Sequence, residues 1–370
     1  MEQKLYDIRE IVKCFQFRGP LLDIRPFGSG HINDTFKISI HQGGSPIEYI
    51  LQRINHTIFP NVAGMMQNIM RVTQYMRKKL LEIPGSDFSR EALRVVLTQD
   101  NKPFYVDSDN NYWRAYVCIE RSISYDSIQK PKQAYEAAKI FGIFQKLLQD
   151  FPNDPPLVEV LPNFHNTPRR FLQLHQAINE DTEHRVCMVQ EELDFILQRE
   201  KHADVVINYL ENGALPFRVT HNDTKINNVM FDMDNDTGLC VVDLDTVMLG
   251  SSLYDFGDQV RTTTATSLED EKDLTKVQFR IDLFDALARG FLEQTREFLV
   301  PKEIELLAFS GRLITMEIAV RFLTDYLKGD VYFKTKYAEH NLVRTRTQLE
   351  MLRQMEAQKD EMEKIILKYR

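Results

Sequence analysis

The sequence predicts an α+β protein of two lobes, a β-rich N-terminal lobe over residues 1–118 and a mainly helical C-terminal lobe over 119–370. Three observations carry this expectation. The chain has 370 residues, and single cores stop growing near ~250–300 residues. Up to about residue 120 the apolar residues recur with a period near two between Gly-rich turns; beyond it they recur at helical spacing. A single β-like interruption, 215–247, sits inside the helical half.

In chain order, LLDIRPF, INDTFKISI and IEYILQRI are strand-like runs separated by GSGH and HQGGSP. They predict two hairpins in succession, turning at Gly28–Gly30 and Gly43–Gly44. Residues 62–81 carry apolar side chains at helical spacing and predict the one helix of this lobe. RVVLT, PFYVD and WRAYVCIE return to strand character. The second half predicts helices over 132–149, 168–179, 183–211, 281–298, 302–327 and 341–369. Gly213 and Gly329 stand where helix-ending glycines stand. The Pro-rich 151–162 predicts a loop. No repeat or low-complexity tract is visible.

The composition, 43% hydrophobic and 27% charged, is that of an ordinary folded protein. No run reaches the ~18 apolar residues of a membrane span. The opening MEQKLYDIRE has no basic cap before an apolar run and predicts no secretory signal. Cys14, Cys118, Cys187 and Cys240 form no C-x-x-C pair, which points away from a zinc or disulfide frame and toward a cytoplasmic protein. A net charge of −8 opposes nonspecific binding to nucleic acid or anionic lipid. The expectation is a monomer whose partner is a small molecule, with no nucleic acid and no membrane.

The chemistry concentrates in HNDTKINNVMF, 221–231. His221, Asp223 and Asn228 make H-x-D-x-x-x-x-N, the spacing of a kinase catalytic loop. Phosphoryl transfer requires an acceptor hydroxyl to be positioned and spreading charge to be neutralised. Asp223 at the loop tip can accept the hydroxyl proton. The amide oxygen of Asn228 can reach a magnesium ion, and His221 can brace the loop backbone. A second metal ligand belongs on the next strand, where LCVVDLD ends at Asp243 and Asp245. Asp243 lies 20 residues beyond Asp223. The Asp-Phe-Gly at 255–257 imitates a kinase metal motif but follows no apolar strand; Asp255 and Asp258 fit better as partners of the loop backbone or as helix caps. With the lobe order, these residues predict a protein-kinase-like fold.

PFGSGHINDTF (26–36) sits where a kinase covers its nucleotide phosphates, so Gly28, Ser29 and Gly30 are expected at the phosphates. The third strand, EYILQRIN, should bring a lysine, and it brings Gln52 and Arg53. Gln67 and Asn68 stand where that lysine's glutamate partner belongs. Either Gln52 or Arg53 holds the nucleotide in another way, or the protein is a binding-only pseudokinase. The adenine is expected against the inter-lobe hinge, at Val117, Ile119 and Glu120.

HNDTKINNV with VVDLDT resembles the aminoglycoside phosphotransferase-like small-molecule kinases, which include choline and homoserine kinases. FGSGHINDTF, YILQRINHTIFP, VVDLDTVMLGSSLYDFGD, RFLTDYLKGDVYF and KYAEHNLVRTRTQ narrow the resemblance, over essentially the whole chain, to the N-acetylhexosamine 1-kinase branch. That resemblance implies ATP as cosubstrate, Mg2+, and transfer of the γ-phosphate to the anomeric hydroxyl of N-acetylglucosamine or N-acetylgalactosamine. It implies Asp223 as general base, Asn228 and Asp243 as metal ligands, and Arg321 and Tyr332 as sugar contacts, with His31 and Asp245 also facing the substrate. Arg321 could instead pair with Asp325, and Tyr332 could be core. Lys225 is expected as a loop brace or γ-phosphate contact; Arg344 and Arg346 are expected to pair with acidic groups. The competing expectation is a kinase of the same fold for another small alcohol, such as choline, homoserine or an aminoglycoside.

Overall fold

The computed structural model describes residues 6–28, 32–128 and 130–370. A short helix that the periodicity had not announced, α1 (Ile8–Lys13), opens the described chain. The alternating runs form β1 (Leu21–Pro26), β2 (Asp34–Gln42) and β3 (Ser45–Ile54) as antiparallel neighbours, with β2 and β3 joined by the expected turn at Gly43–Gly44. Helix α2 (Val62–Leu81) follows, capped by the Asn61 side chain, which accepts from the Gly64 N–H. The sheet is completed by β4 (Val95–Val96), β5 (Tyr105–Val106) and β6 (Tyr112–Val117) in the order β1-β2-β3-β6-β4, with β5 also pairing β6.

Strand periodicity sorts the side chains of this sheet onto two faces. Ile38, Ile40, Leu51, Trp113 and Ala115 form an outer core that α1 and Phe15 close. Ile54 and Tyr116 face the other way, onto Met65, Met66 and Ile69 of α2. Opposite each other in register on β3 and β6 are Gln52 and Arg114.

After β7 (Ser122–Ile123) the chain is mainly helical. Helices α3 (Pro131–Leu148), α4 (Thr167–Glu180), α5 (Gln190–Leu197) and α6 (Val205–Glu211) precede four short strands: β8 (Arg218–Thr220), β9 (Val229–Asp232), β10 (Gly238–Val241) and β11 (Met248–Gly250). Then come α7 (Ser252–Thr263), α8 (Ile281–Thr295), α9 (Pro301–Leu327), α10 (His340–Ala357) and α11 (Lys359–Tyr369). The strands pair as β8 with β11 and as β10-β9-β7. One apolar cluster runs from Met66 on α2 through Phe141 and Phe144 on α3 to Phe231 and Val241. The polar loop at 221–228 is therefore rooted in the core that joins the lobes.

Two of the expected helices are broken. In the 183–211 segment the α-helix begins only at Gln190, after a 3-10 turn at Val186–Met188, and divides into α5, a 3-10 turn at Glu200–His202, and α6. The Arg199 guanidinium takes the Phe195 carbonyl at 2.6 Å, the acceptor that its own N–H would use in a continuing helix, and also grips Glu356. The Arg199 N–H turns to Ile196 instead. The 341–369 segment breaks at Gln358 (φ −106°, ψ 15°) into α10 and α11.

Candidate active site

Strand β8 delivers the chain to a loop in which almost every polar group is committed. The buried His221 ring donates from Nε2 to the Val242 carbonyl (2.9 Å), and its Nδ1 accepts the Asp223 N–H (3.3 Å). Phe141 and Phe144 meet that ring edge-on. Asn222, in the left-handed region (φ 64°), donates from its side chain to the Thr220 and Thr246 carbonyls. Below the loop, the buried Asp255 carboxylate accepts the N–H groups of His221 (3.0 Å) and Asn222 (2.7 Å) and the amide of Gln145 (2.8 Å). Burial pushes its carboxyl above the usual range despite these donors. Asp255 is thus the backbone partner expected from the Asp-Phe-Gly triplet. Asp258 instead pairs with Arg261 at 2.9 Å. From the helical side, His165 bridges the Asn222 carbonyl (3.1 Å) and Glu317 (3.0 Å).

This scaffold presents Asp223, Asn228 and Asp243. The half-buried Asp223 carboxylate lies 3.0 Å from the Lys225 ammonium. Burial would raise Asp223, but Lys225 more than offsets that and holds it below the usual carboxylate range. Asn228 donates its side-chain N–H to the Asp223 carbonyl (2.8 Å) and, more loosely, to its carboxylate (3.3 Å). With the nitrogen committed, Oδ1 is the remaining ligand atom of Asn228. Asp243 follows β10 in the left-handed region (φ 60°), and the preceding Val242 N–H bonds to the Asn228 carbonyl at 2.8 Å. Its carboxyl is open to solvent yet hemmed in by protein. Burial, then the Asp245 and Asp223 carboxylates, push it up to about 6.

Gathered negative charge of this kind calls for a cation. Among the described residues, no three His, Cys, Asp or Glu side chains form a ready-made metal cage. One carboxylate and one amide oxygen suit Mg2+, which binds through one or two protein ligands and completes its shell with water and substrate phosphates.

Arg114 is the residue that the sequence reading missed. It sits on β6, fully buried, and donates to Gln52 Oε1 at 2.9 Å and to the Asp245 carboxylate. Burial opposes its charge, and Asp245 restores it. Asp245 also accepts from Asn33, just before β2, at 2.9 Å. Gln52, Arg114, Asp245 and Asn33 therefore form one polar chain from the sheet to the loop that carries Asp243. The signal in the sequence was an arginine inside the apolar run WRAYV.

A family model described as the phosphotransferase enzyme family (APH) matches residues 23–295. The chain belongs to this phosphotransferase family. Solved structures with the same kinase-like fold include an aminoglycoside phosphotransferase from Alicyclobacillus acidocaldarius, 12% identical with a TM-score of 0.62 over 97% of this chain and 98% of that one. Spectinomycin phosphotransferase APH(9)-Ia, solved with ADP and spectinomycin, is 12% identical with a TM-score of 0.55 over 96% and 99%. A Plasmodium vivax ethanolamine kinase is 14% identical with a TM-score of 0.52 over 92% and 83%. The protein is a small-molecule phosphotransferase of this type.

The APH match spans Arg114, Asp223, Asn228 and Asp243 and ends before Arg321 and Tyr332. Of the other expected site residues, Gly28 adopts φ 82°, a conformation that favours glycine. Ser29, Gly30 and His31 lie outside the described residues. Gln52 is engaged at both ends, by Arg114 and by Thr35. Val117 packs with the outer core, on the face opposite Arg114 and Tyr116, so strand alternation turns its side chain away from the cleft. Ile119 is buried, and its carbonyl accepts from Ser122. The Glu120 carbonyl accepts from Arg90. Asp245, expected to face substrate, is instead buried with its oxygens on Asn33 and Arg114. Asn68 ties α2 to the Val158 and Val247 carbonyls rather than serving a nucleotide-binding partner.

Arg321 has the Phe164, Tyr332 and Phe333 rings around it at 5.5–6.0 Å. Asp325 does not pair with it, because its oxygens accept the Tyr332 and Phe333 N–H groups and the Asn341 amide. Tyr332 is 64% exposed and so is not core. Lys225 braces the loop through Asp223. Arg346 pairs with Glu192 at 2.6 Å, whereas Arg344 goes to the Lys334 carbonyl and Asn341. Among the described residues, no helix is long and apolar enough to cross a membrane.

Proposed function

We propose that the chain transfers the γ-phosphate of ATP to the anomeric 1-hydroxyl of an N-acetylhexosamine. The observation that carries this reading is the grouping of Asp223, Asn228 and Asp243 on one braced loop and the strand end facing it. Residues 1–118 supply the nucleotide side and 119–370 the acceptor side. Asp223, kept ionised by Lys225, aligns the acceptor hydroxyl and takes its proton. An anomeric hydroxyl is more acidic than an ordinary alcohol, so a modest base is enough. Asn228 Oδ1 and Asp243 would hold Mg2+, which when bound neutralises phosphate oxygens. Arg114 takes over the place of the usual lysine–glutamate pair as a positioning residue, tying β3 to the Asp243 loop through Asp245.

On the acceptor side, Arg321 offers a planar, multi-donor group for adjacent hydroxyls and the acetyl carbonyl. Tyr332 and Phe164 offer aromatic faces for the C–H surface of the ring. An arginine here repels a cationic acceptor such as choline, which would need an acidic or aromatic cage.

A coupled ADP-release assay tests the reading with N-acetylglucosamine, N-acetylgalactosamine, choline, homoserine and an aminoglycoside. The expected outcome is magnesium-dependent turnover with the two sugars. Preferred turnover of another alcohol overturns the acceptor assignment. Nucleotide binding with no acceptor-dependent turnover overturns the kinase itself.

A further inference from the structure

Around the edge strand β4 lies a cavity of about 580 Å3, lined by Thr73, Gln74 and Arg77 of α2 on one side and by Tyr49 and Val117 of β3 and β6 on the other. That volume suits a small metabolite. Arg18, Arg77 and Arg94 line it, together with Thr73, Gln74 and Tyr49, and no aspartate or glutamate does. Arg77 donates to the Phe88 carbonyl at 3.1 Å and lies over the Phe88 ring. Arg18 and Arg94 are exposed. Among the described residues, none of the three pairs with a carboxylate.

This is unusual for the chain. Its net charge is −8, and its other cationic side chains are widely matched: Arg25 with Glu48, Arg121 with Asp234, Arg185 with Asp330, Arg218 with Glu303. In the cavity, by contrast, burial and then the Arg94 guanidinium lower the Arg77 pKa. Arg94 and Arg18 both act on the Tyr49 hydroxyl, which donates to Gln42. Like charges held together without a counter-ion are unfavourable, and an oxyanion that accepts forked guanidinium hydrogen bonds relieves them.

We propose that this cavity binds a small, multiply charged oxyanion metabolite through phosphate or carboxylate groups, at a site separate from the phosphotransfer loop. None of the cavity-lining residues belongs to the Asp223 loop, and neither Arg114 nor Asp245 lines the cavity. The aliphatic side chains of β4 supply the apolar floor that favours an organic anion over a bare ion.

The test is isothermal titration of the full chain, free of magnesium and at constant ionic strength, with pyrophosphate and with citrate as the two probes. Arg18→Gln/Arg94→Gln removes two exposed charges without opening a core, and its thermal melt checks the fold. Lys225→Gln serves as the cleft control. The expected result is saturable one-site binding of one or both probes, weakened at least about tenfold in the double arginine variant and retained in K225Q. Saturation by pyrophosphate alone assigns phosphate chemistry, and by citrate alone carboxylate chemistry. The proposal is overturned if neither probe saturates, or if the double arginine variant binds as the wild type does.

Discussion

At the scale of single residues, Asp223 and Arg114 do opposite kinds of work. Asp223 presents its carboxylate to the cleft, so its replacement leaves the scaffold whole. Asp223→Asn should lower turnover by about 10^2–10^4-fold, the usual contribution of a positioned base, with ATP affinity little changed; near-normal turnover in a steady-state assay would remove Asp223 from its role. Arg114 is buried with its partner Asp245. Arg114→Met strands that carboxylate with Asn33 as its one donor among the described residues, and breaking a buried pair from one side costs about 3–5 kcal/mol. Urea unfolding should show this loss, and R114M/D245N should lose less than the sum of the two single variants. Additive losses would mean that the two residues are not coupled. Asp223 and Asn228 were legible in the sequence because one short loop fixes their spacing. Arg114 was not, because its partner is 131 positions away and a lone arginine in a strand gives no sign of which face it takes.

Elements were legible where one face is buried and the other wet. Helix α2 was located to the residue, and α3, α4 and α8 to within a few residues, since amphipathic spacing marks such helices; α9, buried nearly all round, was located by its length instead. Helix α7 was missed because it is short as well as buried nearly all round, and carries Gly257 at its centre. That glycine is required by packing: a Cβ there would lie 2.5 Å from the Ser310 carbonyl oxygen on α9. The break between α10 and α11 was hidden because Met355 and Met362, buried on either side, keep a seven-residue spacing across Gln358. Between elements, the His165–Glu317 pair predicts a pH dependence. Burial opposes the charge on His165, but Glu317 overrides it and raises the pKa above 6.5. The stabilisation from His165 is therefore complete below that value and is lost as pH rises through the folded pKa. Glu317, which burial would raise, is held low by His165, so its stabilisation is lost as pH falls. His165→Gln should destabilise the chain most near pH 6.5 and progressively less at higher pH in urea unfolding. A gap that widens with rising pH would contradict the pairing.

For the whole molecule, the two lobes share one apolar cluster and one polar chain, and both end at the Asp243 loop. The sequence indicated the lobes and the loop but not this joint, because it is built from β3, β6, α2 and the turn after β10, which only folding brings together. The proposed acceptor side, on α9 and the 331–333 segment, lies outside the span matched by the phosphotransferase family, and that is where substrate choice is expected to reside. Phosphorus NMR of the product formed from ATP and N-acetylglucosamine is the most direct test. The expected product is a sugar phosphate whose phosphorus couples to the anomeric proton, formed by the wild type and not by D223N. Phosphate on the 6-hydroxyl, or equal product from D223N, would contradict it.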